Sequence, residues 1–149
     1  MARPIFLHRL IFIWFSLRQK CLCGAPCCLC ASLKALAIDE LTIGLVAIIL
    51  AEVANNIVEH AYPLNESGTV TLSCSKTEQG LRFEVSDRGK ILPGGEIPPK
   101  KDHNLDAEIN HLPEGGFGWG LIRDMTSMLM YKRDEDRNIL RFRVAFATV

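Results

Sequence analysis

The chain has 149 residues, with seventeen basic and seventeen acidic side chains. That length suits one domain that buries a core without disulfides, and the zero net charge provides no basic field for holding nucleic acid. Apolar residues make up 48% of the chain, as expected of a soluble globular protein and not of a disordered tail.

The first 38 residues differ in texture from the rest. They contain no acidic residue and hold five of the six cysteines, Cys21, Cys23, Cys27, Cys28 and Cys30. Ile5–Leu17 is apolar but interrupted by His8 and Arg9, and it is shorter than the roughly 20 residues needed to cross a bilayer. No membrane span is therefore expected, and without a clear small-x-small cleavage site the expected location is the cytoplasm. Cys27 and Cys30 have metal-ligand spacing, but no second pair stands at a separated position, so no zinc site is expected.

From Ile38 the elements become regular. Asp39 is the expected N-cap of a helix from Glu40 to about Ala61, ended by Tyr62-Pro63 because the residue before proline avoids the α region. After a turn at 65–68, Val70, Leu72 and Cys74 alternate with polar residues as a half-buried strand. A turn at Glu78-Gln79-Gly80 then leads to a second strand with Leu81, Phe83 and Val85 on one face. Residues 88–117 are rich in proline and glycine and have no regular period, as expected of either a disordered segment or a functional lid. Leu121, Ile122, Met125, Met128 and Leu129 are spaced for a helix. A closing hairpin follows, with a strand around Leu129–Arg133, a turn at Asp134-Glu135-Asp136, and a strand with Leu140, Phe142, Val144 and Phe146 on one face.

Three constellations carry chemistry. On the long helix, at about 100° per residue, Glu52, Asn56 and His60 continue the face that begins with Leu45 and Ile49. Surface helices put carboxylates opposite the apolar stripe, so this face reads either as a helix emerging from the core or as a polar site at its mouth. A carboxylate and a carboxamide one turn apart can supply a general base and a hard oxygen ligand for Mg²⁺. Next, Asp87-Arg88-Gly89 ends a strand. There a carboxylate can accept from an exocyclic amine such as that of adenine, although the same tripeptide also makes an ordinary turn. Last, Glu114-Gly115-Gly116-Phe117-Gly118-Trp119-Gly120-Leu121 opens a helix with backbone N–H groups free to meet phosphate oxygens, or forms a flexible hinge. No Gly-Lys-Ser/Thr follows, so it is not a Walker loop.

In this order the three motifs resemble the N, G1 and G2 boxes of the GHKL (Bergerat-fold) ATPases. The wording around Glu52–Tyr62 and Pro113–Gly118 is similar to that of bacterial anti-sigma-factor serine kinases. The resemblance covers about residues 38–146. It implies an atypical cysteine-rich segment over 1–37 and an ATP-binding domain over 38–149. The implied fold is a two-layer α/β sandwich, a mixed sheet with helices on one face. ATP and Mg²⁺ are the implied ligands, with Glu52 as general base, Asn56 on the metal and Asp87 on adenine. Gly89 would shape the base pocket, and His60, Gly115, Gly116, Gly118, Gly120 and Leu121 would complete the nucleotide site. The implied partners are a sigma factor and a small STAS-like antagonist, with homodimerisation compatible. Two readings follow: a serine/threonine protein kinase, or a nucleotide-gated binding switch without turnover. The chain departs from the family pattern at Lys90-Ile91, where a second G1 glycine is usual, and in residues 1–30, whose texture matches neither the family's first strand nor its first helix.

Overall fold

The computed structural model describes residues 9–14, 25–62, 68–99 and 117–147. In chain order these form β1 (Arg9–Trp14), α1 (Ala25–Ala35), α2 (Glu40–His60), β2 (Val70–Thr77), β3 (Gly80–Asp87), α3 (Phe117–Met125), β4 (Ser127–Asp134) and β5 (Arg137–Ala145). The strands make one sheet in the order β1-β2-β3-β5-β4.

The two-layer arrangement with helices on one face holds. The sheet is not mixed, however: each of its four described pairings is antiparallel. Consecutive hairpins join β2 to β3 and β4 to β5, and short hairpins can only make antiparallel neighbours. The strands also show the one-sided burial typical of an antiparallel sheet. Leu72, Cys74, Leu81, Phe83, Val85, Leu140, Phe142 and Val144 are buried toward the helices. On the opposite side Glu84 pairs with Arg141 at 2.8 Å, a partly exposed ion pair that contributes little to stability. At the centre of the inner face Phe83 and Phe142 stack with ring centroids 5.2 Å apart.

Residues 9–14 form an edge strand paired antiparallel to β2, with Phe12 opposite Leu72. Residues 25–35 form a helix whose Leu29 and Leu33 enter the same core as α2. The segment whose texture matches neither a family strand nor a family helix thus holds one of each. Cys21 and Cys23 lie outside the described residues. Cys74 is buried in β2, and desolvation pushes its thiol up to about 12, so it packs as an inert apolar group.

Helix α2 starts where the capping residue predicts. The Asp39 carboxylate accepts from the Thr42 backbone N–H at 2.8 Å and from the Thr42 hydroxyl at 2.6 Å. Thr42 is fully buried, and its hydroxyl oxygen also accepts from the Ala147 N–H at 3.0 Å, tying the end of the chain to the start of the helix. These bonds, the Thr42 side chain first, hold the Asp39 carboxyl below its ordinary value. A depressed folded-state pKa adds stability above the unfolded-state pKa, and that stability is lost as pH falls through the folded value. Asp39→Ala should therefore melt below wild type at neutral pH. The gap should narrow below about pH 4, as thermal scans at the two pH values would show.

By length and composition α2 is apolar enough to cross a bilayer. Its Ile43, Val46, Ile49 and Val53 are instead buried against the sheet and α1, which makes it the central helix of the core. It ends at His60 with Ala61 as C-cap, whose N–H reaches the Ile57 carbonyl at 2.9 Å.

The second long helix is shorter than its spacing predicts. α3 stops at Met125, and Met128 and Leu129 belong to β4. The β-branched Thr126 marks the break, its hydroxyl donating back to the Ile122 carbonyl at 2.6 Å. The closing hairpin also turns later than expected, with Asp134 still in β4. The turn expected at 65–68 lies outside the described residues except for Gly68. Of the irregular segment, residues 88–99 are described, with a single 3₁₀ turn at Pro93–Gly95.

Candidate functional site

Four apolar rows converge at one end of the helix–sheet interface, and each of them ends in polar residues. On β3 the row Leu81, Phe83, Val85 ends in Asp87, and on β5 the row Val144, Phe142, Leu140 ends in Asn138. On β4 the row from Leu129 passes Tyr131 to Arg133. On α2 the buried Ile49 and Val53 give way to Asn56 and His60. The space between these ends is a concavity with apolar walls, Val53, Ile57, Leu92, Trp119 and Leu140 among them. Asp87, Asn56, His60, Lys90, Tyr131 and Asn138 contribute its polar lining. An apolar slot with a few fixed polar groups is the usual form of a small-molecule site.

Asp87 lies at the floor and is only 5% exposed. Its Oδ1 accepts from the Gly89 N–H at 2.7 Å and from Asn138 Nδ2 at 2.9 Å. Among the described residues no hydrogen bond falls on Oδ2. Burial raises the Asp87 carboxyl above its ordinary value, against the lowering by Asn138, the Gly89 N–H and the nearby Arg133 guanidinium. Its free oxygen therefore suits a donor brought by a ligand, such as an exocyclic amine.

The turn after Asp87 is fastened to the end of α2. The Lys90 N–H donates to the Ala61 carbonyl at 2.7 Å, and the Arg88 N–H donates to the Tyr62 hydroxyl at 3.1 Å. Gly89 allows this approach, because a Cβ there would lie 2.5 Å from the Ala61 carbonyl oxygen. The tight contact that requires glycine here is thus with the protein's own helix.

At the other end, α3 lies across α2. A Cβ on Gly118 would stand 2.6 Å from Glu52 Oε2 and 3.6 Å from Asn56 Nδ2. Three sequence-predicted residues from two motifs, 62 positions apart at their closest, therefore meet at one point. Asn56 Nδ2 is buried without a hydrogen-bond partner among the described residues. Leaving such a group unpaired costs about 1–3 kcal/mol, so a polar group supplied from outside is the natural way to complete it. The N and O of an amide are assigned by their surroundings, so either end of the Asn56 carboxamide can face this point. A carboxamide, a carboxylate and the start of a helix with glycine at its second position suit polyphosphate oxygens and a hard cation. Among the described residues no cluster of three or more His, Cys, Asp or Glu forms a cation site, so a metal here would take its remaining ligands from phosphates and water.

The other sequence-predicted residues are placed less closely. His60 is exposed and lines the concavity at its rim. Gly120 and Leu121 lie on α3 but do not line it, and a Cβ on Gly120 would meet nothing within 4 Å. Gly115 and Gly116 lie outside the described residues. Arg123 on α3 donates to the carbonyls of Ile97 and Pro98, at 3.1 and 2.6 Å from its Nη2, which anchors the far end of the 88–99 segment.

Sequence reasoning missed Asn138, Tyr131, Arg133 and Trp119. The signal for Asn138 was its parity: it shares the inward face of β5 with Leu140, Phe142 and Val144. Its partner across the sheet is Asp87, another polar residue at the end of an inward row.

A family model for the histidine kinase-like ATPase domain matches residues 28–144. The serine-protein kinase RsbW of Bacillus cereus is 29% identical over 94 residues, 62% of this chain and 58% of the relative. RsbW of Bacillus mycoides is 29% identical over the same shares. The chain thus spans about 58% of the length of these curated relatives.

Proposed function

Since the chain belongs to the histidine kinase-like ATPase domain family, we propose that it is an ATP-dependent serine kinase of the anti-sigma-factor type. It transfers the γ-phosphoryl group of ATP to a serine of a small STAS-like antagonist and, when that antagonist is phosphorylated, holds a sigma factor in the cytoplasm. The observation that carries this reading is the meeting of Glu52, Asn56 and Gly118 at one point, with the Asn56 amide left unpaired. The similarity to serine-protein kinases named RsbW supports it.

In this reading the adenine lies between Trp119 and the α2 side, its amine donating to Asp87 Oδ2. The phosphates would run toward Gly118 at the start of α3. Asn56 would hold Mg²⁺, which would supply charge neutralisation on the phosphates. Glu52 would accept the proton of the incoming serine hydroxyl as its oxygen bonds to the γ-phosphorus, while the bond from that phosphorus to the β–γ bridging oxygen breaks and ADP leaves. Fixed positioning of the two reactants supplies most of the remaining acceleration.

The direct test incubates purified protein with labelled ATP, Mg²⁺ and candidate antagonists encoded beside its gene, then looks for phosphoserine. Phosphoserine on one candidate is the expected result, and its absence from all would remove the kinase reading. Nucleotide binding is tested separately by calorimetry. Asn56→Ala should weaken Mg-ATP binding by about tenfold or more, the scale of a lost bond to a charged group. It should affect binding of ATP in EDTA much less, because the carboxamide is assigned to the metal. Equal losses with and without Mg²⁺ would take Asn56 off the metal.

A nucleotide-gated switch without turnover would use the same pocket. The pairing of a carboxylate with the carboxamide at Gly118 favours the enzyme, since holding a nucleotide gives little use for a base.

A further inference from the structure

Asn138 is the most heavily bonded side chain beside the pocket. Its Nδ2 donates to Asp87 Oδ1 and to the Lys90 carbonyl, each at 2.9 Å, with the Gly89 carbonyl at 3.4 Å. Its Oδ1 accepts from the Tyr131 hydroxyl at 2.6 Å and from Arg133 Nη1 at 2.8 Å. The orientation of the amide is settled by chemistry. A carboxylate and two carbonyls accept only, and a guanidinium donates only, so the two ends cannot exchange. Both N–H groups and both lone pairs are therefore engaged by the protein. Asn138 lines the concavity but is 5% exposed and has no capacity left for a ligand.

The cluster extends further. The Tyr131 hydroxyl accepts from the Leu92 N–H at 3.2 Å, and Arg133 Nη1 also donates to the Gly89 carbonyl at 2.8 Å. One hairpin, β4–β5, thus holds the Asp87 carboxylate and the following turn at residues 89, 90 and 92.

We propose that Asn138, held by Tyr131 and Arg133, is a positioning residue for base selection: it occupies Asp87 Oδ1 so that Oδ2 is presented to a purine carrying an exocyclic amine. This rests on Asp87 being the base acceptor. The Gly89 N–H alone would leave the carboxylate free to rotate about its last bond and share its charge between two directions. With Asn138 in place Oδ1 is committed, and the acceptor facing the pocket is single and fixed. A base with an amine gains a bond there, and one with a carbonyl meets a second acceptor.

The experiment measures the Kd values of ATP and of purine riboside triphosphate, whose base lacks the amine, by calorimetry. Wild type should prefer ATP by about tenfold or more, the range for a hydrogen bond to a charged group. In Asn138→Leu the preference should fall toward unity, with the loss confined mainly to ATP. The acid limb of ATP binding should also move to higher pH. Asn138 leads the groups holding the Asp87 carboxyl down, the Gly89 N–H and the Arg133 guanidinium from β4 remain, and Lys90 from the turn and His60 from α2 line the same concavity. A merely structural role would weaken both nucleotides equally and leave the pH limb in place.

Tyr131→Phe keeps the ring and removes one donor to Asn138. It should narrow the preference less, in the same direction, and it decides the matter if Asn138→Leu does not fold. Asp87→Asn separates the two layers of the argument. The Gly89 and Asn138 donors would turn its amide oxygen toward themselves and its NH₂ toward the base, abolishing the preference. If Asp87→Asn loses the preference while folded Asn138→Leu, or failing that Tyr131→Phe, keeps it, the positioning role is overturned and the acceptor stands. If Asp87→Asn keeps the preference, the acceptor assignment falls, and the role of Asn138 falls with it.

Discussion

Replacing Glu52 by glutamine is expected to lower serine phosphorylation by about 10²–10⁴-fold, the usual worth of a general base, while ATP affinity stays near wild type. Glutamine keeps the length and shape of the side chain and removes only its capacity to take a proton. Glu52 is half-buried on α2, one turn before Asn56, and faces the start of α3 at Gly118. On the proposed reading its carboxylate acts on the serine hydroxyl and the carboxamide acts on the metal, so the two substitutions should separate. Glu52→Gln should lower the single-turnover rate at saturating ATP, and Asn56→Ala should first raise the Kd of Mg-ATP. Both variants should melt close to wild type, because neither residue belongs to the buried apolar set. A folded Glu52→Gln protein that phosphorylates its partner at near wild-type rate would take Glu52 out of the chemistry. If wild type transfers no phosphate yet holds sigma factor only when ATP is present, the switch reading replaces the kinase.

The sequence made the position of the site legible because polar residues interrupted apolar periodicity. Glu52, Asn56 and His60 were visible as a polar continuation of a helical stripe. The same argument applied to β5 would have found Asn138, but a lone asparagine at a strand start also reads as a turn residue. Tyr131 and Arg133 carry no such signal, since an aromatic and a long cation suit a strand near its edge. Their roles depend on the pairing of β4 with β5 and of β5 with β3, which brings them to Asp87 from 44 and 46 positions away. The α3–β4 boundary was misplaced for a local reason. Met128 and Leu129 continue a helical spacing, and only the tertiary pairing of β4 overrides it. Residues 9–14 fall inside the apolar stretch Ile5–Leu17, whose composition suits packing on a sheet but whose lack of alternation gives no strand bounds; the pairing with β2 supplies them.

Alanine at two glycines separates architecture from chemistry. At Gly89 the added methyl would press on the Ala61 backbone, 2.5 Å from its carbonyl oxygen and 2.8 Å from its carbonyl carbon. Backbone cannot swing aside, so the turn must part from the end of α2 and give up the 2.7 Å bond from Lys90. Gly89→Ala should thus lower stability by about 1–3 kcal/mol, the usual range for overpacking, and weaken nucleotide binding as a consequence. At Gly118 the nearest atom is the far end of a flexible side chain, Glu52 Oε2, which can rotate away. Gly118→Ala should therefore keep nearly all its stability, helped by the better helix propensity of alanine. It should nonetheless lose phosphotransfer by about 10²-fold or more, because a displaced base of about 1 Å costs on that order. Thermal melting beside single-turnover transfer distinguishes the two variants: Gly89→Ala fails first in melting, Gly118→Ala first in transfer. A Gly118→Ala protein with wild-type transfer would mean that the approach of α3 to Glu52 has no part in the reaction.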